Sequence, residues 1–156
     1  MVILKQESDS IQVLTETMNI TYLPFDIQNY DEAAQFWRVT PFIGLSSADT
    51  REAIDKFLRR NPGCSFVARV EQRLVGTILM GHDGRRGYMY HLAVAESYRG
   101  MGIAAELVSR GLIALRAEGI EKCHLFVYSD NLNAQSFYAH EGWQIRNDLE
   151  IMSINL

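Results

Sequence analysis

The sequence predicts an α/β fold of mixed α+β type, built on a central sheet, and three observations carry that prediction. First, Ser65–Val70 and Leu74–Met80 are apolar runs joined by the short polar turn Glu71-Gln72-Arg73, which reads as an antiparallel hairpin. Second, the run Leu92-Ala93-Val94 gives way to a polar turn holding Gly100 and Gly102. Beyond it, Ile103, Ala104, Leu107, Val108, Leu112 and Leu115 recur at helical spacing. Third, Cys123–Tyr128 reads as another strand, followed by a helical stretch that Gly142 stops. A chain of 156 residues is one ordinary domain, large enough for a single core.

The elements follow in order. Residues 1–17 are polar apart from Ile11, Val13 and Leu14, and are expected to form an N-terminal extension to a domain spanning 18–156. A short added strand over Ile11–Thr15 is the competing reading. Asn19–Leu23 predicts the first strand, and Asn29–Arg38 a helix with Ala33, Phe36 and Trp37 as its apolar side. Thr40–Leu45 is an apolar loop. Ser47 or Asp49 can then cap a second helix, whose face is Ala53, Ile54, Phe57 and Leu58 and which Asn61-Pro62-Gly63 ends. After the hairpin come a strand over Tyr88–Val94 and a long helix over Gly102–Glu118, with Gly119 as its natural C′ residue. Past the last helix, Trp143–Arg146 and Glu150–Asn155 read as final strands. The chain holds no internal repeat and no low-complexity tract.

Composition narrows the function classes. Apolar residues make up 47% of the chain, a globular value, and no apolar run is long enough to span a membrane. No basic region followed by an apolar segment opens the chain, so the expected compartment is the cytoplasm. Cys64 and Cys123 are the only cysteines, each opening a predicted strand, and are expected as reduced thiols. The net charge of −4, without a basic stripe, argues against a nucleic-acid partner. No metal site is expected.

The glycine turn carries the chemistry. A strand–turn–helix unit leaves unpaired N–H groups at a helix N-terminus, where phosphate binds well. Glycines there let backbone approach an anion, because no Cβ intervenes. The segment fits two patterns. Gly100-x-Gly102-x-x-Ala105 matches the dinucleotide pattern, but that fold puts the motif after its first strand. Here only about 50 residues follow, too few for a six-stranded dinucleotide domain. Arg99-x-x-Gly102-x-Ala104 equally matches the R/Q-x-x-G-x-G/A pattern of the GCN5-related N-acetyltransferase (GNAT) family. Downstream, Asn131, Ala134, Tyr138 and Gly142 meet that family's N-x-x-A-x-x-x-Y-x-x-x-G-F pattern, with Trp143 in place of the usual Phe. The chain thus resembles this family from about Met18 onward. The run Gly81–Gly87 is also similar to a YpeA-like subgroup of small bacterial acetyltransferases.

The resemblance implies the GNAT fold, a mixed sheet of six or seven strands flanked by about four helices. It implies transfer of an acetyl group from the cosubstrate acetyl-CoA to a primary amine, by direct attack on the thioester. Arg99, Gly100, Gly102, Ile103 and Ala104 would hold the pyrophosphate. Leu92, Ala93 and Val94 would pair with the pantetheine arm, with the Leu92 N–H as oxyanion donor, and Asn131 would contact the pantetheine amides. Tyr138 would be the acid that protonates the departing sulfur. His91 is a candidate base, because an imidazole ordinarily titrates near pH 6.5; Glu96, Tyr128 and Asp130 are alternatives. The loop with Phe42, Ile43 and Leu45 would border a pocket for a small-molecule or peptide amine. Homodimers are common in the resembling family. The alternative function is a non-catalytic acyl-CoA binding module.

Overall fold

A five-stranded sheet organises the fold, with strands in the same order in space as in sequence. They are Ile20–Pro24 (β1), Phe66–Val70 (β2), Arg73–His82 (β3), Gly87–Val94 (β4) and Cys123–Leu125 (β5). Among the described residues four α-helices accompany them: Tyr30–Val39 (α1), Arg51–Arg60 (α2), Ile103–Ala117 (α3) and Leu132–His140 (α4). The computed structural model describes residues 18–156, so the extension proposed for 1–17 and the alternative strand over Ile11–Thr15 lie outside the described residues. Strands β1 to β4 pair antiparallel, β2–β3 and β3–β4 through short turns and β1–β2 across the segment holding α1 and α2, while β4 and β5 pair parallel and are joined through α3.

Both faces of the sheet are covered. On one side Trp37 and Ala33 of α1 and Ile54 of α2 pack with Phe25, Val67, Leu74 and Leu79. On the other, Ile103, Leu107, Val108 and Leu115 of α3 pack with Ala68, Val75, Ile78, Met80 and Met89. Central β3 is therefore buried from Leu74 through Gly81 without alternation, the pattern of a strand covered on both faces. Gly119 ends α3 with φ +77°. Its N–H bonds the Arg116 carbonyl and the Ile120 N–H bonds that of Leu115, the paired bonds of a left-handed helix stop.

Three expectations need correcting. The sheet has five strands among the described residues, not six or seven, because Trp143–Arg146 and Glu150–Asn155 pair with nothing and form no strand. Strand β5 is shorter than the expected Cys123–Tyr128. Helix α2 is capped by Thr50, whose side chain accepts from the Ala53 N–H, rather than by Ser47 or Asp49. Ser46 and Asp49 instead form a capping box around the preceding 3-10 turn, Ser47–Asp49.

Candidate active site

Strands β4 and β5 part company early. Their register runs only from Gly87–Cys123 to Met89–Leu125, so among the described residues β4 beyond Tyr90 has β3 on one side and no strand on the other. Leu92, Ala93 and Val94 lie on this free stretch. The divergence coincides with a bulge: the β3–β4 register shifts between Thr77 and Leu79, and His91 adopts φ +48°. The His91 carbonyl accepts a 2.8 Å hydrogen bond from Thr77 Oγ1, which itself accepts one of 2.9 Å from Trp37 Nε1. In a planar trans peptide the next N–H points the opposite way. The Leu92 N–H therefore faces away from β3, toward the opening between β4 and β5.

The glycine turn lies just beyond. A 3-10 turn at Glu96–Tyr98 leads to Arg99, whose Nε donates to the Val94 carbonyl at 3.1 Å and ties the turn to the end of β4. Gly100 and Gly102 have φ of +77° and +80°, and a Cβ on either would meet nothing within 4 Å. The glycines thus serve conformation and leave open space above the backbone. Gly102 is the N-cap of α3 and brings no capping side chain. The N–H groups that open α3, from Ile103 and Ala104 onward, are left for an outside acceptor. Open space, oriented donors and a helix N-terminus fit the pyrophosphate of a coenzyme A group.

Asn131 and Tyr138 bracket α4. Asn131 is the N-cap, its Oδ1 accepting from the Ala134 N–H at 3.2 Å. That gives it a structural duty the spacing did not reveal and leaves its Nδ2 to donate. Tyr138 packs between Phe137 and Trp143, both edge-on, at 5.3 and 5.9 Å. Burial pushes its phenol up to about 12. Among the described residues its hydroxyl has no hydrogen-bond partner and no enclosed side-chain polar atom is unpaired.

His91 lies on the opposite face of β4 from Leu92 and Val94, which pack toward α3. Its ring meets Trp37 edge-on at 4.7 Å. Its Nε2 lies 2.6 Å from Asp49 Oδ1, both side chains being 12% exposed. Asp49 is held in turn: its Oδ2 accepts from the Ser46 N–H at 2.8 Å, and its carbonyl accepts from the Tyr30 hydroxyl at 2.6 Å. Sequence reasoning missed this partner, because Asp49 read only as a helix cap. Among the described residues nothing bonds Nδ1 of His91. On the loop side, Phe42, Ile43, Gly44, Tyr128 and Asp130 line a hollow of about 370 Å³, with the Phe42 and Tyr128 rings 6.2 Å apart. Arg85 and Arg86 stay outside the site. They belong to a turn whose amides donate to Asp83, which holds that carboxyl below its ordinary range. Cys64 and Cys123 are free thiols, and burial pushes Cys123 up to about 11.

An open β4 edge leading to a glycine cradle at a helix N-terminus is an arrangement that suits an extended ligand with a pyrophosphate group. The sequence profile of the acetyltransferase (GNAT) family matches residues 29–143, and the chain belongs to that family. An acetyltransferase of Sodalis glossinidius is 35% identical over 108 residues, 69% of this chain and 76% of that one. One of Yersinia pestis is 39% identical over 107 residues, covering 69% and 75%. Among solved structures, Ard1 of Thermoplasma volcanium superposes with a TM-score of 0.72 at 23% identity, over 81% of this chain and 84% of that one. The PaiA N-acetyltransferase of Thermoplasma acidophilum, solved with coenzyme A, gives 0.70 at 18% identity over 83% and 92%. These two show a shared fold. No helix among the described residues is long and apolar enough to cross a membrane.

Proposed function

We propose that the chain moves the acetyl group to a primary amine by direct attack on the thioester, with Tyr138 as acid and His91 as base. The observation that carries this reading is the free edge of β4, where the bulge at His91 turns the Leu92 N–H into the opening. Bound acetyl-CoA supplies the activated acetyl group. Gly100, Gly102, Ile103 and Ala104 hold its pyrophosphate through main-chain amides, and Arg99 fixes that loop. Leu92, Ala93 and Val94 offer main-chain groups to the pantetheine arm, and Asn131 offers its Nδ2. The Leu92 N–H stabilises negative charge developing on the carbonyl oxygen. His91, steadied by Asp49, takes the proton an alkylammonium must lose before attack, since such amines ordinarily titrate near 10.4. Tyr138, protonated at neutral pH, gives its proton to the departing sulfur and regains one from the attacking nitrogen as the amide forms. The acceptor enters the hollow beside Phe42 and Tyr128, where Asp130 complements an ammonium and the two rings take an apolar portion.

Calorimetric titration with acetyl-CoA, with NAD as control, tests the coenzyme site. A panel of amines scored by thiol release tests the reaction. Tyr138→Phe separates enzyme from binding module: kcat should fall on the order of 100-fold with unchanged affinity for acetyl-CoA. A folded protein that binds no acetyl-CoA refutes the reading, and one that binds it but turns over no amine is the non-catalytic module.

A further inference from the structure

Thr77 is an odd residue for its place. It is fully buried on β3 among Val75, Ile78 and Leu79, with Asn61 and Ser65 the only other buried polar side chains among the described residues. Valine would fill the same volume with the same branching at Cβ. A hydroxyl enclosed in an apolar core costs stability unless it is bonded. The register pairs Thr77 with Ala93 and Leu79 with Tyr90, so Ile78 alone stands opposite both His91 and Leu92. The Thr77 hydroxyl lies at this bulge and donates to the His91 carbonyl at 2.8 Å.

To satisfy that carbonyl, one hydroxyl is enough. Here the hydroxyl makes a second bond, accepted from Trp37 Nε1 at 2.9 Å. The Trp37 ring stacks on Phe25 at 5.9 Å and meets the His91 imidazole edge-on at 4.7 Å, so its nitrogen is firmly aimed. An indole nitrogen only donates and a carbonyl oxygen only accepts, so the single hydroxyl proton has one place to go. Trp37, Thr77 and the His91 carbonyl thus form a chain of one polarity. Thr77 and Trp37 are 0% and 1% exposed, so solvent competes for neither bond. In such a chain each bond strengthens the next by on the order of 10–30%. The last member is the peptide whose N–H belongs to Leu92.

We infer that Thr77 and Trp37 are positioning residues for acetyl transfer, a buried donor relay that polarises the His91–Leu92 peptide and strengthens the Leu92 N–H toward the thioester oxygen. The inference rests on the reading of that N–H as the oxyanion donor. It explains why a threonine stands where valine would pack as well, and why a tryptophan nitrogen is spent on it.

The thioester carbonyl reports the strength of the donor directly. Acetyl-CoA carrying 13C at that carbonyl is bound without an amine, and its stretch is read from the isotope difference infrared spectrum. In the wild-type protein the band should lie below that of the same molecule free in water. Thr77→Val should return it toward the free value with acetyl-CoA affinity unchanged. With an amine present the same variant should lower kcat about tenfold, a fraction of the roughly 100- to 1,000-fold that a whole oxyanion donor contributes. Thr77→Ser, which keeps the hydroxyl, should hold both band and kcat near wild type. Exchanging the Trp37 indole for benzothiophene, by suppression of an amber codon, keeps the ring's shape and removes only the N–H. The band should then move part of the way back. This exchange leaves no buried donor unpaired, so it decides the matter even if Thr77→Val does not fold. A band that stays put in Thr77→Val or with benzothiophene, or that moves as far in Thr77→Ser, overturns the relay and leaves the Leu92 donor standing. A wild-type band no lower than in water removes the Leu92 donor, and the relay with it.

Discussion

His91 and Asp49 meet across 42 residues of sequence, and that separation is why only one of them was legible beforehand. A histidine beside the motif strand's free edge invites a role, but its partner comes from a turn whose local pattern signals only a cap. The proposed roles make distinct predictions. His91→Ala should lower kcat on the order of 100-fold with acetyl-CoA affinity intact, and added imidazole should restore part of the rate. Asp49→Asn should lower kcat about tenfold by letting the imidazole turn, while Asp49→Glu recovers part of the loss; steady-state kinetics of the three variants distinguish these outcomes. For Tyr138 the predicted behaviour concerns pH. The fold raises its phenol from 10 to about 12 by desolvation, so folding favours the protonated form. The resulting stability is complete below pH 10 and lost as pH rises from 10 to 12. Urea midpoints measured over that range should fall more steeply for the wild-type protein than for Tyr138→Phe.

Periodicity reports a segment's surroundings, and elements were legible in proportion to how uniform those surroundings are. The apolar stripe of α3 places it almost to the residue, because one face meets the sheet and the glycines on either side punctuate it. The unbroken apolar run of β3 is equally plain. Glu150–Asn155 also has the composition of a strand, but composition states only that a segment would suit a sheet. Whether a segment pairs is settled by the path of the chain, and Glu150–Asn155 joins no strand among the described residues. The cradle before α3 permits a clean test, since a Cβ at Gly102 would clash with nothing and only the backbone conformation objects. Gly102→Ala should cost about 1 kcal/mol in urea unfolding. By shifting the first N–H groups of α3 it should also weaken acetyl-CoA binding about tenfold in calorimetry.

Across the whole molecule the sheet separates the two halves of the proposed site. The face under α3 leads to the glycine cradle, and the face under α1 and α2 holds His91 and Asp49. The two approaches meet only where β4 runs free of β5. A ligand lying in that opening bridges the end of the sheet and the starts of α3 and α4, so it should hold the molecule together against heat. At a concentration of 100 times its Kd, acetyl-CoA should add about 2.7 kcal/mol, read as a rise in the thermal midpoint that NAD does not produce. The peptide unit between His91 and Leu92 belongs to both sides of this arrangement. Its carbonyl is fastened through Thr77 to the interior tryptophan, and its N–H looks into the cleft. Because the unit is rigid, any tilt of the carbonyl is copied by the donor. Thr77→Val, which unfastens it, should therefore slow turnover at temperatures where the protein is still fully folded. Loosening the interior would then be felt first as a fading of the reaction, with the midpoint of unfolding trailing behind it.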